Sequence, residues 1–485
     1  MRPRRIAIIG GGITGLAAAH RLHELAPKSQ VVVYEASSRW GGILGTRYDG
    51  GWLIEQAADM FTTREPWAID LCKRLGIDGD LISTNRENRR ALVVRGGKLY
   101  PVPDGFTLLS PSKIYPLLVT PLLSWSGKLR MASELFVRRR SDKEDESLAA
   151  FTRRRLGNEA FDHLVQPLVG GIYTADPEKL SMKATLSQFV EQERTYGGLI
   201  RAMWNSARKT KTDVKPAESG ARYGAFVAPK RGMQSLVDAL AQKLPEAWKR
   251  LDSPVGDIRW AQDEQIWRIA VEPKAGEPYT AEADDLIFAV PGTKSNLLTS
   301  VSRDLAAAIA KIPHAGASVV ILGVRRDQIQ HPLDAFGVVV PAVEKRGVIA
   351  ISFASVKFPG RAPDDSVLLR VFVGGALQPE LARLSDADLR KLVLEELGSL
   401  IGFSGEPQLF QIARWLETMP QYHVGHLDVV REIKRLAEVI PHFALAGNAY
   451  DGVGIPFCIH SGELAAERIL GMTSQTEATQ SVATQ

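Results

Sequence analysis

The sequence predicts an α/β fold, a Rossmann-like nucleotide-binding domain that carries α+β insertions. Three observations predict it. Ile6-Ala-Ile-Ile9 reads as a buried parallel strand that runs through Gly10-Gly11-Gly12-Ile13-Thr14-Gly15 into the helical stretch Leu16–Leu22. Val31–Tyr34 supplies a second strand ending in Glu35, twenty residues after Gly15, where a ribose hydroxyl needs an acceptor. Asp285–Pro291 and Phe443–Gly447 read as two more buried strands that end in turns.

Each part of the first motif has its own physical reason. Gly10 permits the tight turn, Gly12 lets a pyrophosphate approach the backbone, and Gly15 lets helix and strand pack closely. The helix N-terminus then offers free N–H groups and a positive dipole end to phosphate. At this point the nucleotide is open between NAD and FAD.

Composition bounds the rest. With 485 residues the chain exceeds the size at which one core keeps growing, so two or three domains are expected. The 60 Lys and Arg against 55 Asp and Glu leave a charge of +5, which suits an acidic ligand or an anionic membrane surface. No nucleic-acid module is present in the pattern. Cys72 and Cys458 are the two cysteines, which excludes a disulfide scaffold and any multi-cysteine metal site and fits a reducing compartment. The pairs His20/His23 and His423/His426 lack the carboxylates or cysteines of a metal centre, so no metal is expected. The first strand begins by Ile6, leaving no room for a secretory apolar region, and no apolar run is long enough to span a bilayer. The expected location is cytoplasmic.

Along the chain, Pro66–Gly76 has helical periodicity with a glycine stop, and Leu92–Tyr100 reads as a hairpin around Gly96-Gly97. Ile114–Trp125 is apolar but broken by Pro116 and Pro121, and Lys128–Arg140 is basic and helical. Two readings of 114–140 stay open, a segment lying on anionic lipid and a helical cap over a ligand cavity. Helices are predicted at 146–157, 159–169, 233–244, 386–401 (with Ser385 as cap) and 462–470. Strands are predicted at 258–260, 266–272, 319–324, 338–340, 348–352, 367–373 and 411–415, the 319–373 group as one antiparallel sheet. Residues 209–222 read as a polar loop and 472–485 as a disordered tail. The expected division is nucleotide-binding segments 1–90, 221–300 and 416–471, a helical and substrate-binding insertion 91–220, and a substrate-binding sheet domain 301–415.

Two further stretches favour FAD over NAD. Gly447-Asn-Ala-Tyr-Asp-Gly452-Val-Gly454-Ile-Pro456 places spaced glycines at a second strand-to-helix turn. Arg39-Trp-Gly41-Gly42 adds a glycine pair with a basic residue beside the pyrophosphate position. A cofactor gripped by distant parts of one chain is the habit of FAD flavoproteins.

With these residues in view, the chain resembles the oxygen-dependent protoporphyrinogen IX and coproporphyrinogen III oxidases of haem synthesis. The resemblance is carried by Gly170-Gly171-Ile-Tyr-Thr-Ala-Asp-Pro-Glu-Lys-Leu-Ser-Met182, Glu146-Ser, Arg154-Arg-Leu-Gly157 and Gly232-Met-Gln-Ser-Leu236. Phe358-Pro-Gly-Arg361-Ala-Pro363, Trp415 with Met419-Pro-Gln-Tyr422, and the Gly447–Pro456 closure complete it, over roughly residues 5–470.

The resemblance implies a p-hydroxybenzoate-hydroxylase or amine-oxidase type of FAD domain, a sheet-based substrate domain and a helical membrane-facing domain. It implies FAD held by Gly10, Gly11, Gly12, Ile13, Thr14, Gly15, Glu35, Ala36, Arg39, Gly41 and Gly42. Val255 would meet the adenine through its backbone, and Trp415, Gly447, Val453, Gly454 and Ile455 would line the flavin. Where the family carries a Gly-Pro pair, this chain has Ala57-Ala58-Asp59-Met60 at the corresponding flavin contact. For the substrate the resemblance implies Arg90 on a propionate, with Arg89 competing, Phe353 stacked on the macrocycle, and the Gly171 carbonyl beside the pyrrole N–H groups. A guanidinium suits a carboxylate because it binds bidentately.

By the same analogy, three two-electron cycles with oxygen as acceptor convert porphyrinogen to porphyrin. No side chain is assigned as a catalytic acid or base. The proto- and copro- substrates stay near even, a homodimer is open, and so is a peripheral station on the cytoplasmic face of the inner membrane. The competing readings are an amine oxidase or carotenoid desaturase of the same superfamily, and a non-catalytic FAD-binding, membrane-associated protein.

Overall fold

A computed structural model describes residues 3–472 except 112, 114, 143 and 210–222. The loop read at 209–222 and the tail after Met472 therefore lie outside the described residues, apart from Lys209, which closes a helix.

Twelve strands build the two principal sheets: β1 (Arg5–Ile9), β2 (Gln30–Tyr34), β3 (Leu92–Arg95), β4 (Lys98–Pro101), β5 (Lys249–Arg250), β6 (Asp285–Phe288), β7 (His314–Arg325), β8 (Gly337–Val339), β9 (Ala350–Phe353), β10 (Ser366–Gly374), β11 (Leu409–Pro420) and β12 (Phe443–Leu445). The first sheet has the order β5-β2-β1-β6-β12 and is parallel throughout. Its strands come from widely separated parts of the chain, as the scattered apolar runs predict.

Parallel strands need cover on both faces, and this sheet has it. On one side Ile6, Ile8 and Val33 pack against α1 (Ile13–Leu25), α2 (Gln234–Lys243) and α4 (Ile455–Ile469). On the other, Ile9, Leu286 and Phe288 pack against Trp267 and Ile269 of a small antiparallel sheet and against Leu305 and Ile309 of a helix. Each such buried side chain contributes about 1.5–3 kcal/mol.

The second sheet has the order β11-β7-β10-β9-β8-β3-β4. The predicted antiparallel group is therefore real, but it is larger. The 92–101 hairpin joins it through a parallel β3–β8 pairing that local pattern could not reveal. One face packs on α3 (Asp386–Ile401), with Val320, Leu369, Val371 and Ile351 against Leu389, Val393 and Leu397. Ser385 caps α3 as expected, its hydroxyl accepting the Asp388 N–H at 3.1 Å. The opposite face meets Trp52 and Ile54 and carries Val319, Ile321, Leu368, Phe372 and Trp415.

Among the boundaries that differ from the sequence reading, two belong to helices of the closing segment and the basic stretch. The closing helix begins at Ile455, not Gly462: Pro456 fits a first helical turn, and Gly462 is an interior position where α1 crosses closely. A Cβ on Gly462 would lie 2.2 Å from the Thr14 carbonyl oxygen. Secondly, the basic stretch is helical only over Trp125–Phe136, and residues 137–140 leave the helix.

The 115–209 region is mainly helical and is tied together by buried charge. Fully buried Arg155 pairs with fully buried Glu134 at 2.5 Å, and Arg154 bridges Glu146 (2.5 Å) and Glu193 (2.7 Å).

Candidate active site

The carboxyl ends of β1, β2, β6 and β12 meet at one edge of the parallel sheet, the edge where open α/β sheets bind ligands. There the three motif glycines separate by role. Gly10 stands at φ +107, and a Cβ on it would lie 2.6 Å from the Ala289 carbonyl oxygen. On Gly15 a Cβ would lie 1.9 Å from the Gly10 carbonyl oxygen. Gly12 instead faces open space, with nothing within 4 Å of its Cβ position. Packing demands the first two; only something entering the space demands the third.

Ile13 and Thr14 open α1, whose N-cap Gly12 offers no side-chain cap. Glu35 is held ready beside them. Its carboxylate accepts the Gly11 N–H at 2.8 Å, the Ser37 N–H at 2.8 Å and the Ser37 hydroxyl at 2.7 Å. Ala36 is exposed next to it, and the Ser253 N–H donates to the Glu35 carbonyl at 2.8 Å, which brings the start of the Val255–Ala261 strand to this end. The Gly41 N–H binds the Gly11 carbonyl at 2.8 Å, and a Cβ on Gly42 would lie 3.3 Å from Gly12 Cα. Arg39 folds its guanidinium onto the Gly42 (2.5 Å) and Leu44 (2.6 Å) carbonyls, so in this structure it shapes the glycine-pair turn.

The closing segment lies at the same edge. Gly447 follows β12 at φ +145 with its N–H on Ser461 Oγ at 3.0 Å. Gly454 is the N-cap of α4 and, like Gly12, has no side-chain cap, with Val453 before it and Ile455 as the first helical residue. Tyr422 staples this loop: its hydroxyl donates to the Asn448 carbonyl at 2.6 Å and accepts the Gly452 N–H at 3.0 Å. His426 stacks on Tyr422 with ring centroids 3.8 Å apart, and burial pushes its imidazole down to about 4.

The cradle ends at residues 56–60. Trp415 Nε1 donates to the Gln56 carbonyl at 2.8 Å, Arg370 donates to the Ala57 carbonyl, and Ala57, Ala58 and Met60 are half-buried. Asp59 turns away. Its buried carboxylate lies 2.6 Å from Lys357 Nζ and 3.1 Å from Arg370 Nη1. Burial alone would raise the Asp59 carboxyl, but these cations outweigh it and hold it at about 2.

The Asp59 side chain is thus engaged by the protein interior. The cradle as a whole fits FAD. It offers a fixed carboxylate, two helix N-termini without side-chain caps and an indole-flanked turn, groups of the kind a dinucleotide with a ring system needs.

The predicted substrate residues stand in different surroundings. Gly171 is exposed in the last turn of the helix Gln166–Tyr173, and a Cβ on it would lie 3.7 Å from Val339 Cγ1 of β8. Phe353 is fully buried among Val371, Leu369 and the α3 leucines, on the face away from Trp415. Strand alternation is the reason: inward residues 351 and 353 oppose 350 and 352, and on β10 it is Arg370 and Phe372 that share the Trp415 face. Arg90 pairs with Asp334, whose carbonyl it also binds at 2.8 Å. Arg89 binds the Thr84 (3.0 Å) and Asn85 (3.1 Å) carbonyls and has no carboxylate partner among the described residues.

Sequence reasoning assigns no role to Glu55, Lys357 or Arg370. Buried Glu55 accepts the Met233 N–H at 2.9 Å at the start of α2, which explains the Gly232–Leu236 stretch: a Cβ on Gly232 would lie 2.9 Å from Glu55 Oε1. Arg370 carried a visible signal, a lone charge inside the apolar run Val367–Val373. Lys357 carried none.

The chain belongs to the flavin containing amine oxidoreductases, whose family model matches residues 13–470. Its cofactor is FAD. Within that class it is 31% identical to the coproporphyrinogen III oxidase of Bacillus subtilis, over 96% of this chain and 98% of that one. It is also 31% identical to the coproporphyrinogen III oxidase of Staphylococcus aureus, over 96% and 99%. Among solved structures, one from Exiguobacterium sp. 255-15 that carries a provisional protoporphyrinogen oxidase name superposes with a TM-score of 0.85 at 28% identity, over 98% of this chain and 100% of that one.

Proposed function

We propose that the protein is an FAD-dependent porphyrinogen oxidase of haem biosynthesis, acting on coproporphyrinogen III with oxygen as acceptor. The observation that carries the substrate choice is end-to-end similarity to three bacterial coproporphyrinogen III oxidases at 31–32% identity, against 26–29% for the plant protoporphyrinogen oxidases. A basic chain also suits the substrate with more carboxylates.

FAD held here would supply the two-electron acceptor for dehydrogenation at a saturated carbon bridge of the macrocycle. The chain's part is binding and orientation. Gly10–Gly15, Glu35, Ala36, Arg39, Gly41 and Gly42 form the nucleotide half of the site, with Val255 toward the adenine. Ala57, Ala58, Met60, Trp415 and residues 447–455 form the flavin half. The Gly171 carbonyl, at a helix end where carbonyls lack intrahelical partners, is the acceptor for pyrrole N–H groups. Phe372 takes the stacking role first assigned to Phe353. Arg89 replaces Arg90 as propionate anchor, because its charge is not neutralised by a carboxylate. Turnover of the two porphyrinogens tests the substrate: a higher kcat/KM for coproporphyrinogen III is expected, and a higher value for protoporphyrinogen IX rejects that choice.

No helix among the described residues is long and apolar enough to cross a membrane. A peripheral station is supported by the amphipathic build of 115–136. Leu117, Leu122, Leu123 and Met131 are buried in the helical core. Tyr115, Trp125, Leu129 and Phe136 are 73%, 71%, 71% and 85% exposed, with Lys128 over the Trp125 ring. The same segment thus serves as internal cap and as outward apolar face.

A further inference from the structure

The 56–60 turn departs from the family's Gly-Pro pattern, and it is gripped from behind at three points. Trp415 of β11 holds the Gln56 carbonyl, Arg370 of β10 holds the Ala57 carbonyl, and Lys357, ending the short helix Ala354–Lys357, holds the Asp59 carboxylate with Arg370. Behind the turn is a small cavity bounded by Glu55, Asp59, Phe358, Arg361 and Arg370 among others. Lys357, Arg361 and Arg370 are all buried, and Arg361 is bound to the Pro229 (3.1 Å) and Lys230 (3.0 Å) carbonyls. Two cations, Lys357 and Arg370, therefore face the single Asp59 carboxylate, with Arg361 and Glu55 beside them, where water hardly reaches. Such a cluster is an expensive way to gain stability, because desolvation offsets the attraction. The N–H groups of Ala57 and Ala58 have no acceptor among the described residues.

We propose that Lys357 and Arg370 are positioning residues that lock the 56–60 turn through Asp59 and Ala57. By their excess positive charge they raise the reduction potential of the flavin assigned to that turn. The inference rests on the FAD site proposed above. Charge fixed near a flavin is a recognised lever on its electronics, and in a dry site it is little screened.

The test compares purified holoprotein variants by the potential of bound FAD and by affinity for sulfite, which adds more tightly to an electron-poor flavin. Lys357→Met should lower the potential and weaken sulfite binding by about tenfold. Asp59→Asn, which strips the negative partner, should move both the other way. The double variant, with the pair removed together, should return toward the parent. These opposite signs are what a merely structural role would not produce, and Asp59→Asn with the double variant suffices if Lys357→Met does not fold. Shifts of one sign in both single variants, or none in either, overturn the inference. A parent chain that takes up no FAD overturns the site itself instead.

Discussion

Gly12 and Gly15 stand three residues apart and should fail in opposite ways. A methyl on Gly15 meets the Gly10 carbonyl oxygen at 1.9 Å, so Gly15→Ala should lose about 3 kcal/mol of stability, seen as a lower unfolding midpoint. A methyl on Gly12 meets nothing, and its backbone angles suit alanine. Gly12→Ala should therefore fold normally and purify with little FAD. Arg89 and Arg90 form a second contrasted pair. Arg89→Ala should weaken porphyrinogen binding about tenfold without changing flavin content, whereas Arg90→Ala should act mainly through the lost Asp334 contact. Equal porphyrinogen affinity in Arg89→Ala and the parent would reject the assignment. His426 gives a pH signature. Its folded pKa, near 4, lies below the usual 6.5, so its contribution is intact above 6.5 and is lost as pH falls toward 4, about 3 kcal/mol in all. His426→Gln should flatten the acid limb of a stability–pH curve across that window. At this scale the glycines and Glu35 were legible in the sequence, because their roles are backbone conformation and a fixed spacing. The Asp59–Lys357 pair was not, because it joins side chains about three hundred residues apart.

Elements were read well where periodicity and caps agree. The 386–401 helix has both, Ser385 before it and Gly402 at φ +65 after it, and its ends were placed correctly. The closing helix begins seven residues before the Gly462 start that the sequence predicts. In place, the proline fits the first turn and the glycine admits α1. The hairpin 92–101 was recognised as a hairpin, but its partner strand β8 comes some 240 residues later, and no local pattern encodes that. The 115–136 element carries its own prediction. Its outward tryptophan, leucine and phenylalanine should carry the protein to anionic liposomes in a flotation assay, and Trp125→Ala with Phe136→Ala should reduce recovery severalfold. No flotation of the parent would leave this helix as a cap alone.

The whole molecule joins two sheets of different character. The parallel sheet supplies a nucleotide edge assembled from both ends and the middle of the chain, and the mainly antiparallel sheet supplies a face that ends on Trp415, Arg370 and Phe372. The 56–60 turn is tied to the second sheet and its flanking helix through the Asp59–Lys357–Arg370 cluster. On the function proposed, this junction lets a porphyrinogen reduce the bound FAD. Anaerobic mixing of the holoprotein with coproporphyrinogen III, followed by flavin absorbance, tests it most directly. The account predicts rapid bleaching of the oxidised flavin with porphyrin appearing in step. A flavin that stays oxidised with both coproporphyrinogen III and protoporphyrinogen IX, yet bleaches with a simple amine, would contradict it.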